Sequence, residues 1–577
     1  MFIPYAEFKK LLSENKLINT KALDKAKLAA DKNKQNLEQY LVDNGLVSDK
    51  DFLSLYSQVY QTPIVNIKGA KINKNILHLI PEPLARNHKV VAFDRTGETL
   101  KIAMVDPTDL ETIEFIKKKT GLNIQIHLDT LKHINYILGQ YRKSLKTEFS
   151  NLIGLKSEQI KQDPAKLKQL ADDLPTVRIV NTILDYAIFE GASDIHIEPL
   201  EKDFIIRYRV DGMLKEVMTL PKELLAGLAA RIKVLAKLKI DEHRLPQDGR
   251  FKLETEDYKI AFRVSVLPVF DGEKIVMRLL NESGQVLTFK DLGFDKNSLP
   301  ILERNIKRPN GMILVTGPTG SGKTTTLYSI LNILNQPTVN ISTIEDPIEY
   351  RIPRISQSQV APKIGFTFAN GLRSLLRQDP DIIMVGEIRD NETADMAINA
   401  AMTGHLVLST LHTNDAPGAL PRLIDMKIEP FLIASTVNVI IAQRLVRKIC
   451  PNCIQSYNLD KKAVDYLKQE VNLKNILLVM QKQGMIKSLK ESLGSVLFFK
   501  GAGCSQCGQE GYKGRLGIFE VLEVTPNIAK LIITQASADE ISNFAQKQNM
   551  ITMIQDGFMK AKQGLTTIEE VLRVSKE

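Results

Sequence analysis

Residues 312–334 run from an apolar strand through a glycine-rich loop into a helix, and this order constrains the chain more than any other feature. Met312-Ile-Leu-Val-Thr316 is apolar up to its final threonine, GPTGSGKT follows at 317–324, and TTLYSILNIL continues as a helical run. Strand, loop and helix in this order make the full P-loop pattern, whose backbone N–H groups cradle phosphates at a helix N-terminus. Gly317, Gly320 and Gly322 let the backbone wrap closely, with Pro318, Thr319, Ser321 and Thr325 completing the cradle. Lys323 is expected to reach the β- and γ-phosphates of ATP, and Thr324 to offer its hydroxyl to Mg²⁺. A merely structural glycine turn does not account for the Lys-Thr pair together with both flanks.

Hydrolysis also needs carboxylates to orient water and to hold the metal's water shell. ISTIEDPIEY (341–350) reads as a strand broken by Pro347, with Glu345, Asp346 and Glu349 just outside its carboxyl end. Ligands of open α/β sheets sit at that end. DIIMVGEIRD (381–390) is a buried strand ending in Gly386-Glu387. Gly386 replaces the Asp usual at this position, so Glu387 is expected to carry the magnesium role. GHLVLSTLHTNDA (404–416) is a third strand, bracketed by His405 and His412. Both histidines are candidates for sensing phosphate.

The 577 residues suggest about four structural units. A composition of 44% hydrophobic and 25% charged residues excludes wholesale disorder. The net charge of +10 is a mild excess, and neither an aromatic-interleaved basic stripe nor any Trp supports a nucleic-acid translocase. MFIPYAEFKKLL lacks the apolar stretch of a signal peptide. The longest charge-free run near membrane length, Met396–Asn414, carries too many polar residues to enter lipid. A cytoplasmic protein that touches the membrane only through partners is expected.

Along the chain, 11–32 and 40–61 form a weak repeat of helix pairs, with a helix ending at Gly45 and the next capped by Ser48. Residues 90–109 read as a hairpin turning at Thr96-Gly97. The polar stretch 144–174 reads as a linker. SDIHIEP and FIIRYRVDG then supply two alternating strands, and Asp194, His196 and Glu198 share a face that suits a polar network better than a metal triad. Cys450, Cys453, Cys504 and Cys507 form two C-x₂-C pairs able to close a tetrahedral thiolate shell around structural Zn²⁺. The 50 residues between the pairs must then fold as an insertion.

The four boxes in this order resemble the GspE/PilB secretion ATPase superfamily of type II secretion and type IV pilus motors, strongly from about 175 onward and weakly before. The resemblance implies a multidomain α/β chain. An amino-terminal docking domain of MshEN type (1–143) and the linker (144–174) would precede a PAS-like α+β domain (175–290). A RecA-like P-loop ATPase domain with a parallel sheet (291–577) would follow, with its zinc element at 450–507. It further implies that Arg263 and Arg278, fifteen residues apart, turn toward the nucleotide; Arg207 and Arg209, which share one face of the RYRVDG strand, are further candidates on that placement alone. Glu345 or Glu349 would be the catalytic glutamate. The implied activity is ATP hydrolysis by a homohexamer that drives pilin polymerisation through an inner-membrane platform protein of PilC/GspF type, with a ring protein of PilM type as a further partner. A type II secretion motor and a non-hydrolysing adaptor are the alternatives. Some amino-terminal domains of this kind bind cyclic di-GMP through Arg-Leu-Gly. The aligned positions here, Glu7-Phe8-Lys9 and Asn36-Leu37-Glu38, lack that arginine and glycine, so tight binding is not expected.

Overall fold

The computed structural model describes residues 5–15, 17–32, 37–138, 174–254, 259–281, 287–486, 494 and 496–576. They form two compact bodies, one built mainly from residues before 280 and the other mainly from residues after it. The expected linker falls outside the described residues except for Leu174, where a helix begins.

The first body opens with helices Tyr5–Glu14, Thr20–Lys32, Leu37–Asp43 and Asp49–Tyr60, two pairs as the weak repeat anticipates. Ser48 caps the last of them: its side chain accepts from Asp51 N, while the Asp51 carboxylate accepts from Ser48 N. Phe8, Leu12, Leu23, Leu41 and Phe52 build the shared core, and the Phe8 and Phe52 rings stack with centroids 6.0 Å apart. Strand β1 (Val90–Thr96) turns through Gly97 into antiparallel β2 (Thr99–Met104), which pairs in parallel with β3 (Asn123–Leu128). Helix Leu110–Thr120, capped by Asp109 and stopped by Gly121 at φ 66°, makes that crossover.

Helix Leu174–Phe189 joins this part to a six-stranded sheet. The sheet comprises β4 (Asp194–Pro199), β5 (Asp203–Val210), β6 (Met213–Pro221), β7 (Gln247–Glu254), β8 (Lys259–Val269) and β9 (Gly272–Asn281), in the order β6-β5-β4-β9-β8-β7. Alternation along β5 buries Phe204, Ile206 and Tyr208 and turns Arg207 and Arg209 to the other face. There Glu198 pairs with Arg207 at 2.6 Å and with Lys274 at 2.8 Å, and Asp194 accepts from Arg278 Nε at 2.9 Å. The Asp194-His196-Glu198 face is thus an ion-pair network.

In the second body, β10 (Gly311–Thr316), β11 (Ile341–Glu345), β12 (Ile355–Gln359), β13 (Ile382–Val385), β14 (Leu406–Leu411) and β15 (Val437–Ile449) are parallel. The sheet order is β12-β11-β13-β14-β10-β15-β18, the antiparallel edge being β18 (Tyr512–Glu523). Helices cover both faces, so β10 is buried throughout. Met312 and Leu314 enter one core while Ile313 and Val315 enter the other.

Between the two cysteine pairs, β16 (Ile454–Asn458) pairs antiparallel with β17 (Leu497–Gly501), and helices Lys461–Glu470 and Leu473–Lys482 lie between them. Leu467, Ile476, Met480 and Phe498 pack with Phe558 and Val571 of the carboxy-terminal helices. The insertion therefore shares its core with the chain's end.

Candidate nucleotide site and tetracysteine cluster

Register places the four boxes on one edge of the sheet. Thr316 of β10 lies opposite Leu411 of β14, Val385 of β13 opposite Ser409, and Ile344 of β11 opposite Val385. The cradle, His412, Glu387 and Glu345 thus emerge together at the carboxyl ends of neighbouring strands.

The loop wraps as its glycines require. Gly317, Gly320 and Gly322 take φ of 145°, 80° and 90°, which side-chain-bearing residues rarely adopt. A Cβ on Gly317 would lie 2.4 Å from Gln443 O, so this close approach admits only glycine. Gln443, buried on β15, donates from Nε2 to Ser321 O at 2.8 Å and accepts from Thr326 Oγ1 at 2.8 Å. Lys323 Nζ donates to Gly317 O at 2.7 Å and Pro318 O at 3.1 Å. Burial depresses the Lys323 pKa, an effect that the nearby Glu387 charge opposes. Ser321 Oγ, on the phosphate loop, is buried with no hydrogen-bond partner among the described residues. Thr324 is half-buried and Thr325 exposed on the helix's first turn. A threonine hydroxyl and the Glu387 carboxylate are the hard oxygen donors that Mg²⁺ takes.

Glu345 is 2% exposed at the end of β11. It accepts from Tyr328, from Thr343 Oγ1 at 2.5 Å and from Gln357 Nε2 at 3.1 Å, so three donors fix its carboxylate. Burial and this carboxylate raise the Tyr328 pKa, keeping its hydroxyl a donor. Glu349 is half-buried in the segment that follows. Gly386 N donates to Ile344 O at 2.8 Å, and a Cβ on Gly386 would sit 3.3 Å from Glu345 Cα. A larger residue would crowd β11, which gives Gly386 a packing reason. Glu387 Oε2 meets Arg389 Nε at 2.6 Å and His412 Nε2 at 3.3 Å. Thr413 N donates to Thr316 Oγ1 at 2.8 Å, tying the segment after β14 to the start of the cradle.

Of the two histidines, only His412 belongs here. His405 precedes β14, so the strand's whole length, roughly 3.3 Å per residue, separates it from the cradle edge. Its Nδ1 bonds Ala400 O at 2.9 Å, and the expected phosphate-sensing role is withdrawn for it. Sequence reasoning passed over Gln443, Tyr328 and Gln357. Tyr328 stands inside the quoted helical run beside Thr326 and Ser329, where nothing local sets its hydroxyl apart. Gln443 carries no local motif. Arg263 is exposed on β8, and Arg278 is 54% exposed despite its bond to Asp194.

The sulfur atoms of Cys450, Cys453, Cys504 and Cys507 all lie within 4.8 Å of one another, the one such group among the described residues. The β16–β17 ladder explains the meeting, since Ile454 opposite Gly501 brings the flanking pairs to the same end. Cys504 and Cys507 Sγ are 3.6 Å apart, close to the roughly 3.8 Å edge of a tetrahedron with zinc–sulfur bonds of about 2.3 Å. Cys504 N and Gly511 N each donate to Cys507 Sγ at 3.2 Å, which suits a thiolate. The donor set fits zinc.

Strand order, cradle and carboxylates together define a RecA-like P-loop ATPase. Residues 169–573 match the family described as type II/IV secretion system protein, and residues 60–148 match the MshEN domain. The chain is 41% identical to the type IV pilus assembly ATPase PilB of Myxococcus xanthus, over 97% of both chains. It is 38% identical to the PilB of Pseudomonas aeruginosa over 98% of both, and 40% identical to type II secretion system protein E of Xanthomonas campestris over 92% of both. The chain belongs to the type II/IV secretion system family of ATPase motors. The MshEN match begins at 60, beyond the positions aligned above with Arg-Leu-Gly. Of those, Phe8 is a fully buried core residue, and Asn36 lies outside the described residues.

Proposed function

We propose that this chain hydrolyses ATP as a homohexameric motor and powers type IV pilus assembly by acting on an inner-membrane platform protein. The convergence of Lys323, Glu387, His412 and the pinned Glu345 at one sheet edge carries this reading. When bound, Mg²⁺ would neutralise charge on the phosphates, with Thr324 and Glu387 as its protein-side holders. Lys323 binds phosphate oxygens, and Glu345, its carboxylate fixed by three donors, orients the attacking water and accepts its proton. His412 responds to the terminal phosphate through Glu387. Arg263 and Arg278 add the positive charge that the transferring phosphoryl group needs, arriving by domain closure. The four cysteines hold one structural zinc.

Relatives named for pilus assembly match nearly the whole chain, which favours that output. The type II secretion relative supports the second reading, a motor for a pseudopilus. No described helix is long and apolar enough to cross a membrane, in keeping with membrane contact through partners, the platform protein and a PilM-type ring protein.

Phosphate release should be measured for wild type and Lys323→Ala. Equal and negligible rates would leave only the adaptor. Arg263→Ala should cripple turnover with nucleotide affinity near normal. Deleting the gene should abolish surface pili and spare secreted protein; the reverse outcome selects the secretion motor.

A further inference from the structure

We infer that an open depression beside the nucleotide site is a station for orthophosphate leaving the cradle, an inference that rests on the hydrolysis proposed above. It has a volume of about 440 Å³ and is lined by Ile388, Arg389, His412, Arg422 and Met426. Three of these five residues can carry positive charge. Arg422 is exposed on helix Ala419–Asp425, and its guanidinium makes no hydrogen bond or ion pair among the described residues. Arg389 is 70% exposed and spends one edge on Glu387, leaving the rest of its planar fork available.

Sheet order gives the depression its meaning. The cradle follows β10, His412 follows β14 and Glu387 follows β13, and these strands are consecutive neighbours. His412 therefore stands between the cradle and the depression. Glu387 is felt by Lys323 on one side and holds Arg389 on the other through the oxygen that meets His412. A phosphate freed at the cradle that moves along the strand ends meets an imidazole and then two guanidinium groups. Guanidinium pairs suit a tetrahedral dianion because parallel N–H donors match two of its oxygens. Ile388 and Met426, both buried, supply the apolar lining of the depression. The Glu387 carboxylate opposes phosphate binding here, but is already shared by Arg389 and His412.

Equilibrium dialysis of labelled orthophosphate against the ADP-loaded full chain tests this, because ADP fills the cradle. Wild type should bind one orthophosphate per chain. Arg422→Gln should weaken that binding about tenfold, the loss of one charge-assisted contact, and Arg422→Lys should restore part of it. In steady state Arg422→Gln should raise the orthophosphate inhibition constant by the same factor with the KM for ATP unchanged. Equal binding by wild type and Arg422→Gln overturns the inference, as does a change in oligomeric state without loss of affinity. A wild type that releases no phosphate from ATP would sink the hydrolysis reading instead, while dialysis on the ADP-loaded chain, repeated on Lys323→Ala, still decides the site.

Discussion

Gln443 and Ser321 are 122 residues apart in the chain, yet the Gln443 carboxamide donates to the Ser321 carbonyl at 2.8 Å and braces the phosphate loop from the neighbouring strand. Its oxygen takes the Thr326 hydroxyl, so one buried side chain ties the loop to the helix it feeds. Gln443→Leu leaves a carbonyl and a hydroxyl without partners, about 1–3 kcal/mol each. Nucleotide affinity should fall roughly tenfold or more and thermal stability should drop with it. Calorimetric titration with ADP and a melting curve check this; unchanged affinity would remove the brace from the nucleotide site.

Tyr328 holds Glu345 from the core side. Tyr328→Phe keeps the ring packed against Tyr350, 4.6 Å between centroids, and removes only the hydroxyl. Turnover should fall about tenfold, the worth of one hydrogen bond to a charged group, with ATP affinity unchanged. Unaltered kcat would show that the carboxylate does not need this donor.

His88 joins the amino-terminal part of the first body to the segment after helix Leu174–Phe189, its Nδ1 lying 2.6 Å from Asp109 Oδ2 and its Nε2 3.4 Å from Glu190 Oε1. Burial pushes its pKa down, but the two carboxylates outweigh that and raise it to about 9. Burial opposes ionisation of Asp109 and Glu190 too, yet both are held below their ordinary values by His88. The imidazolium stabilises this contact fully below its unfolded pKa of about 6.5, and the contribution is lost as pH rises through about 9. The carboxylates lose theirs as pH falls below the ordinary carboxylate range. Stability of the first body should therefore decline between pH 7 and 9 by about 2 kcal/mol, and His88→Gln should flatten that slope. Hydrogen exchange in helix Leu110–Thr120 across that range gives the readout. An identical slope in the variant would clear His88.

Metal analysis of reduced, unstripped protein should find about one zinc per chain. Cys453→Ser should lose it and lower the melting temperature, with the damage centred on the insertion and helix Met553–Lys562 that share its core. A metal-free wild type would end the zinc assignment.

The elements that could be read in advance are those whose determinants are contiguous. The P-loop, the cap at Ser48 and the hairpin turning at Gly97 each depend on residues within one turn of one another, and each stands where its local chemistry puts it. His405 and His412 looked equivalent in sequence because both flank the same apolar run. A parallel strand, however, delivers its two ends to opposite edges of the sheet, and only its carboxyl end meets the cradle. Gln443 leaves no local trace for the same kind of reason, since its partners Ser321 and Thr326 lie more than a hundred residues away.

Sequence alone determined that a triphosphate cradle exists, which glycines shape it and which carboxylates are available, because those properties depend on residue type and short spacing. Tertiary structure alone decided which donors hold Glu345 and which histidine stands at the cradle edge, and it brings together the four thiols whose paired spacing only suggested a meeting. These depend on strand order and register, which long-range packing sets and no local run of residues encodes.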